Sequence, residues 1–553
     1  MTSLACRLAR PEILELPPVN VIAGDSSDYA GDIVRLHLNE NCYSPLVQGS
    51  ESQSCNRYAE PRAPALRGAM ARLYGVEPQN LIATRGADDA IDILIRTFCR
   101  SGTDAIAVSD PSFGAYGLFA RIQGARVLKC PLGADFEFEP STFVQAAERE
   151  PHLKLAFLCS PNNPTGNLIS CEHVLSVADA LAETIIVLDE AYIEFADAKS
   201  LAAEAMARDN LVVLRTLSKA YGLAGARVGC AIGNAELIEF ISRALPPFPL
   251  ASPSIAVALA TLSPSRRLIH RERIARIKAE RTRVAAKLKD SPLVERVWPS
   301  QTNFVLVEVT DPFEVRREIE RSGIRVRWRP EIGEAVLRLS IGTQEENELA
   351  LAIFGVAERP KHSRRAEIVR DTRETRVAAL IDLDRILPRR IRSGVPFFDH
   401  MLDQVAAHGG FSLVLGCEGD LEIDPHHSLE DCALAFGAAL SNALADRGGI
   451  GRFGFALPMD EAEAQVLIDL SGRAYSSFEG SFAAAHIGDY PTEMTRHVFR
   501  SIADALGASI QVRVGGENDH HKTEACFKAF GRALRQAIAR EGEGVPSTKG
   551  MLA

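Results

Sequence analysis

No apolar run in this 553-residue chain approaches the roughly 20 residues that a membrane-spanning helix needs. The opening MTSLACRLARPEILELPP has no apolar stretch long enough for a signal peptide. Positive charge is in deficit as well. A net charge of -10 argues against the basic footprint of a nucleic-acid-binding protein. The eleven cysteines contain no CxxC pair, which excludes a zinc ribbon and gives no sign of a disulfide framework. A reducing cytoplasm is therefore the expected compartment. The remaining balance, 46% hydrophobic and 24% charged, is that of a soluble globular protein. The length exceeds one ordinary core, so two or more domains are expected.

Histidine is unevenly spread: eight of the thirteen lie beyond position 399. Four of these form two copies of one pattern, His426-His427-Ser428-Leu429-Glu430 and His520-His521-Lys522-Thr523-Glu524. With an offset of 94 the copies continue to coincide at Cys432/Cys526, Phe436/Phe530, Gly437/Gly531 and Leu440/Leu534. A further histidine precedes each, His400 and His497. This is an internal duplication in which both halves kept a potential metal-ligand set. Each copy opens an amphipathic helix, where residues i and i+4 share a face and i+1 is turned by about 100°. His426 with Glu430, and His520 with Glu524, can each grip one ion while His427 and His521 face another. Six imidazoles and two carboxylates without thiolate suit manganese or a similar ion better than structural zinc. A single such pattern is more often a surface accident, but two copies in matching contexts are not. His408 and His486 read as structural. Arg452, Arg473, Ser547 and Lys549 are candidate phosphate donors, although each alone reads as an ordinary surface residue.

The larger N-terminal part is built differently. AIAVSD, LAFLCS, TIIVLDE and NLVVLRT read as buried strands of a parallel sheet. Polar residues at their ends are where such sheets place ligand groups. The stretch 358–367, ERPKHSRRAE, is nearly free of apolar residues and reads as a linker between domains at 1–357 and 368–553. Four motifs stand in order before it: Ser160–Gly166 (SPNNPTG), Asp189-Glu190-Ala191-Tyr192, Thr216-Leu217-Ser218-Lys219 and Arg227. Together they describe a pyridoxal phosphate site. Lys219 can bond covalently to the aldehyde if its pKa is lowered. Asp189 can keep the pyridine nitrogen protonated, and Asn163 can donate to the phenolic oxygen. Thr216, Ser218 and Arg227 offer phosphate donors. A helix opening at Gly86-Ala87-Asp88 adds backbone N–H groups, and Tyr116 can stack on the ring.

With LNEN (38–41), RYAEP (57–61), PSFGAY (111–116), TLSKAYGLAGARVG and LRLSIGT added, the first 355 or so residues resemble fold-type I, class II-like aminotransferases, specifically the histidinol-phosphate aminotransferases. The resemblance implies an α/β fold with a mostly parallel central sheet and a small domain. It also implies a dimer in which Tyr58 reaches the partner's cofactor phosphate, and it counts Ala87, Asp88 and Tyr192 among the cofactor contacts. Arg338 would hold the amino donor's carboxylate, and Arg327 the substrate phosphate. Cys42 and Ser44 depart from the family's usual Pro and Gly. Aromatic-amino-acid aminotransferases and threonine-phosphate decarboxylases share most of these motifs, so a broader aminotransferase stays open at this point.

From about Arg364 onward the motifs DTRETR, SGVPFFDHML, both His-His-x-x-Glu segments, RFGFALPMDEA, DLSGRAY and PSTKG resemble imidazoleglycerol-phosphate dehydratases. That resemblance implies two duplicated α/β halves in a trimer-based assembly of twenty-four subunits, with active sites between subunits. It assigns eight metal ligands, namely His400, His426, His427, Glu430, His497, His520, His521 and Glu524, with Glu374 contacting substrate. Arg452, Arg473, Ser547 and Lys549 would contact its phosphate. Gln511 stands where the family commonly has His. Two metals would grip both nitrogens of one imidazole ring, and Glu524 or Glu374 would move the proton. The dehydration product is the keto acceptor of the aminotransferase. The pairing therefore points to consecutive steps of histidine biosynthesis, from imidazoleglycerol phosphate through imidazole-acetol phosphate, with glutamate as donor. The other reading is that one half is catalytically silent and serves as a scaffold.

Overall fold

The computed structural model describes residues 34–35, 62–246, 248–357, 364–445, 447–454, 457–459 and 461–541. Tyr58, Ser547 and Lys549, the LNEN and RYAEP segments, PSTKG and residues 358–363 of the expected linker lie outside them. Contacts group the chain into two compact units. Of the described residues, one holds those within 62–262 and 273–357 and the other those within 263–272 and 364–541. No helix among the described residues is long and apolar enough to cross a membrane.

The first unit is organised by seven strands: β1 (Leu81–Thr84), β2 (Ala105–Asp110), β3 (Arg126–Pro131), β4 (Leu153–Cys159), β5 (Ile185–Asp189), β6 (Leu211–Thr216) and β7 (Gly229–Ile232). Their order is β1-β7-β6-β5-β4-β2-β3. The four apolar runs read as strands become β2, β4, β5 and β6. Their side chains alternate between two cores, with Ala156, Leu158, Ile186 and Val213 on one face and Leu155, Phe157, Val187 and Val212 on the other. Only β7 runs antiparallel to its neighbours β1 and β6. Its first residue, Gly229, therefore lies beside the last residues of both, Thr84 and Thr216. One reversed strand thus brings Arg227 to the sheet edge where the parallel strands end.

A four-stranded antiparallel sheet follows, made of β8 (Val294–Val297), β9 (Phe304–Val309), β10 (Arg327–Trp328) and β11 (Val336–Ser340) in the order β10-β11-β9-β8.

The second unit shows the duplication as topology. Its first half has β12 (Arg365–Asp371), β13 (Thr375–Asp382), β14 (Arg389–Arg392) and β15 (Ser412–Gly419) in the order β12-β13-β15-β14. Its second half has β16 (Phe453–Gly454), β17 (Leu457–Met459), β18 (Ala462–Asp469), β19 (Tyr475–Glu479) and β20 (Ser509–Gly515) in the order β16-β18-β20-β19, with β17 also on β18. In both halves the third-placed strand pairs antiparallel with the second and parallel with the last.

Four helices supply the common core, and each packs across the halves. For numbering, α1 is Gly86–Phe98 and α2 is Ala115–Gln123 in the first unit; the four are α3 (Pro396–Gly409), α4 (His426–Leu444), α5 (Met494–Leu506) and α6 (Asp519–Ala537). Helix α4 of the first half lies on α5 of the second, and α3 of the first lies on α6 of the second. The duplicated Gly437 and Gly531 sit at these crossings. A Cβ at Gly437 would fall 2.9 Å from the Ile502 carbonyl oxygen, and one at Gly531 would fall 2.7 Å from that of Val405. Cys432 and Cys526 are fully buried among these helices, as expected of core positions.

Candidate functional sites

The cofactor site expected in the first unit assembles at the edge where β1, β4, β5 and β6 end. Asp189, the last residue of β5, is 3% exposed. Burial pushes its carboxyl up to about 6, against the pull of hydrogen bonds from the Tyr116 hydroxyl and the Ala191 N–H and of the Lys219 charge. The Tyr116 hydroxyl donates to Asp189 Oδ2 at 2.8 Å, and the Tyr116 ring stacks on Phe157 with centroids 4.8 Å apart. In this structure Tyr116 therefore holds the carboxylate, and its stacking partner is a core phenylalanine on β4. Helix α2, which begins at Ala115, fixes that position from the sequence side.

Helix α1 opens at Gly86, with Ala87 and Asp88 in its first turn. Arg227, itself in the left-handed region at φ 53°, reaches Asp88 Oδ2 at 3.0 Å. Close approach needs glycine on both sides. A Cβ at Gly86 would come within 2.8 Å of Arg227 Nη2, and one at Gly229 within 2.9 Å of the Ala87 nitrogen. The Thr216 hydroxyl lies 2.9 Å from that of Ser218 and accepts the Ser218 N–H at 3.1 Å. A helix N-terminus, two hydroxyls and a guanidinium thus stand at neighbouring strand ends, donor types that suit an anion, with half-buried Lys219 next in the chain.

Asn163 is buried after β4, and its Oδ1 accepts from Arg338 Nη1 at 2.5 Å. Burial lowers Arg338 to about 10, helped by the like charges of Arg329 and Arg327, so it remains a cation at neutral pH. Tyr192 packs edge-on against Phe304 at 5.4 Å. Arg327 stands directly opposite Arg338 across β10 and β11. Arg329, two residues on, escaped the sequence reading, although the alternating Arg-x-Arg was visible.

In the second unit the cross-half packing sorts six of the expected ligands into two triads, a close one around Glu430 and a looser one whose two histidines each approach Glu524. His426 and Glu430 of α4 meet His497 of α5, with all three ligand atoms within 4.8 Å of one another. His497 Nε2 lies 3.0 Å from Glu430 Oε1 yet is a buried atom with no hydrogen-bond partner among the described residues. That geometry fits two ligands turned toward a shared cation. Glu524 of α6 lies 3.6 Å from His520 Nε2 and 3.6 Å from His400 Nε2 of α3. Burial raises the Glu524 carboxyl, but the hydrogen bond from Lys528 at 2.9 Å and the two histidines outweigh it, and the net shift is downward. The donor sets suit a divalent cation bound by nitrogen and oxygen.

His427 and His521 belong to neither triad. Each is held by a carboxylate on Nδ1, His427 by Asp420 at 3.2 Å and His521 by Glu461 at 2.8 Å, which leaves Nε2 as the ligand atom. Glu374 Oε2 lies 3.8 Å from His427 Nε2. Glu461 is the duplicate of Glu374, since each directly precedes the corresponding strand, β18 or β13. A cavity of about 550 Å³ beside the first triad is lined by His426, His497, Ser476, Phe478, Arg496 and Arg500. Arg452 does not line it. Its guanidinium is held by Asp469 at 2.6 Å, and Arg473 is exposed. The sequence reading missed Asp420, Glu461, Arg496 and Arg500; the last two were legible as an i, i+4 pair on the helix that carries His497.

Comparison with known proteins follows the same division. Residues 27–354 match the family model for aminotransferase class I and II, and residues 393–534 match that for imidazoleglycerol-phosphate dehydratase. The histidinol-phosphate aminotransferase of Sinorhizobium meliloti, solved with pyridoxal-5'-phosphate, shares 26% identity at a TM-score of 0.56, over 63% of this chain and 98% of that one. The histidinol-phosphate aminotransferase of Clostridium acetobutylicum shares the fold at 21% identity and a TM-score of 0.53, over 58% of this chain and 98% of that one. The histidine biosynthesis bifunctional protein HisB of Stenotrophomonas maltophilia is 55% identical over 189 residues, which is 34% of this chain and 53% of that protein. The chain thus spans about half the length of the curated relatives it matches. With 27–354 matched across the seven-stranded unit and 393–534 within the duplicated one, the chain belongs to the aminotransferase class I and II family, and that part is followed in sequence by a region of imidazoleglycerol-phosphate dehydratase type.

Proposed function

We propose that the chain dehydrates imidazoleglycerol phosphate to imidazole-acetol phosphate and then transaminates that ketone with glutamate to histidinol phosphate, in the cytoplasm. The observation that supports this reading is that one chain brings Asp189, Thr216, Ser218, Arg227 and the start of α1 to the strand ends near Lys219 and also gathers His426, Glu430 and His497 across its duplicated halves. Among the described residues each half keeps the side chains its chemistry would need, which argues against a silent scaffold.

In the first unit pyridoxal phosphate would supply an aldehyde and an electron-withdrawing ring. Arg227, Ser218, Thr216 and the first turn of α1 would hold its phosphate, and Asp189 its ring nitrogen. Arg338 orients the Asn163 amide, leaving Nδ2 to donate to the ring oxygen. Lys219 Nζ moves the proton at the substrate's amino-bearing carbon. Arg338 receives the donor carboxylate and Arg327 the acceptor's phosphate.

In the second unit manganese would supply Lewis acidity and a template for both ring nitrogens. His426, Glu430 and His497 would hold one ion, and His400, His520 and Glu524 the other. His427 and His521 are tied through Nδ1 to Asp420 and Glu461, and they are read as ligands that complete triads in neighbouring copies of a trimer-based assembly. The reaction removes hydroxide from the carbon beside the ring and a proton from the next carbon, and the resulting enol ketonises. Glu374, outside both triads and beside His427, is the proton carrier in this reading, while Glu524 is committed to the triad and Lys528.

The test is direct. Purified protein is supplied with imidazoleglycerol phosphate, glutamate, pyridoxal phosphate and manganese, and histidinol phosphate is sought. Absence of product, with both parts folded, would overturn the combined reading.

A further inference from the structure

Three guanidinium groups share one face of the sheet β10-β11-β9-β8. Arg327 pairs directly with Arg338, and the ladder continues with the Arg329 N–H donating to the Val336 carbonyl at 2.8 Å. Alternate residues of a strand share a face, so Arg329 projects to the same side as Arg327 and its cross-strand partner Arg338. Trp328 between them turns to the other side, where Arg316 covers its ring at 4.6 Å. Phe304 and Tyr192 lie on the arginine side, since the Arg338 guanidinium sits 5.1 Å over the Phe304 ring and Tyr192 abuts that ring.

Among the described residues these three cations outnumber the carboxylates that touch them. Glu331 pairs with one of the three, its Oε1 2.6 Å from Arg329 Nη2, while Glu308, further along the same face, lies opposite Arg296. The side chain of Arg329 is only 14% exposed, whereas that of Glu331 is 50% exposed. Arg329 Nε is buried and has no hydrogen-bond partner among the described residues. A purely structural ion pair satisfies the buried fork of its arginine; this one leaves an inward-facing donor open beside two further cations. Burial and the neighbouring Arg327 charge both pull the Arg329 proton affinity down, which is the cost of gathering like charges until an anion enters.

We infer that Arg329 is a second phosphate-binding arginine of the aminotransferase site. It shares a dianionic phosphate with Arg327, and Glu331 is a resident counter-ion that the phosphate displaces. The assignment rests on the proposed aminotransferase reading. It deepens that reading by explaining selection of a dianionic acceptor over acceptors that carry only a carboxylate.

The experiment uses the full-length, cofactor-loaded protein as wild type, Arg329→Gln, Arg329→Lys and Glu331→Gln. The ratio of KM for the phosphorylated keto acceptor to KM for glutamate should rise about ten- to hundred-fold in Arg329→Gln, less in Arg329→Lys, and fall in Glu331→Gln. In parallel, inorganic phosphate is titrated while the absorbance of the bound cofactor is followed, which reports on this site whatever the acceptor. Its half-saturation should move in the same order. If Arg329→Gln leaves both quantities within two-fold of wild type, or if Glu331→Gln weakens phosphate, the inference is overturned. If no phosphorylated acceptor is transaminated but phosphate still separates the variants, the functional reading fails and the Arg329 site stands.

Discussion

His497 of the second half-domain stands 3.0 Å from Glu430 of the first. The mirror relationship places His400 of the first half 3.6 Å from Glu524 of the second. Each triad therefore borrows one imidazole across the duplication, because α4 packs on α5 and α3 on α6. A half-domain folded alone has no complete triad.

His497→Ala and Glu430→Ala should then lose the same metal ion. Metal analysis should show each single variant retaining about half the wild-type content. The double variant should fall no further, since residues serving one ion are not additive. Loss of both ions from a single substitution would contradict the partition into two triads.

The duplicated glycines should matter as much as the ligands. Gly437→Ala forces a methyl against the Ile502 carbonyl, and Gly531→Ala forces one against that of Val405. Overpacking of this kind costs about 1–3 kcal/mol. Thermal unfolding of the second unit should shift down in each variant, with weaker metal retention, while the first unit melts unchanged.

Glu374 and Glu524 should separate by metal content. Glu524→Gln removes a triad ligand and should release metal together with activity. Glu374→Gln should keep its metal and lose dehydration by about 100-fold or more, the range for a general acid or base. Equal metal loss in both variants would return Glu374 to a ligand role.

The buried Asp189 makes a pH prediction. Its folded carboxyl titrates at about 6, above the ordinary value of about 3.9, so the folded state holds the proton more tightly than the unfolded one. The stability it contributes is full below the unfolded value and is lost as pH rises through about 6. In cofactor-free protein, the stability of Asp189→Asn relative to wild type should therefore be most favourable near neutral pH. It should decline as pH falls through the window between the two values. A difference that is flat with pH would show that Asp189 is not desolvated.

The two chemistries should also be genetically separable. Lys219→Ala should abolish transamination and leave dehydration, and His426→Ala should do the reverse. Transamination surviving in Lys219→Ala would refute the cofactor assignment.

Much of this was legible in the chain because the signals are local. Buried strands announce themselves as continuous apolar runs, and β2, β4, β5 and β6 fell where AIAVSD, LAFLCS, TIIVLDE and NLVVLRT stand. Ligands four apart on a helix must share a face, so His426 with Glu430 and His520 with Glu524 followed from helical geometry alone. Less visible were residues whose meaning comes from a neighbour distant in sequence. Glu461 and Asp420 are ordinary acids until they meet His521 and His427. That the hydroxyl of Tyr116, expected as a stacking ring, also reaches Asp189 while its ring packs on Phe157 was likewise not visible in the sequence.

The sequence by itself thus determined the residue types, the strand-end motifs and the fact of duplication, because each depends on composition and short-range periodicity. Only the tertiary structure decided which histidine serves which carboxylate, why Gly437 and Gly531 recur, and how the reversed strand β7 carries Arg227 to the sheet edge. Those facts depend on helix crossings and strand direction, which long-range packing sets and no local pattern encodes.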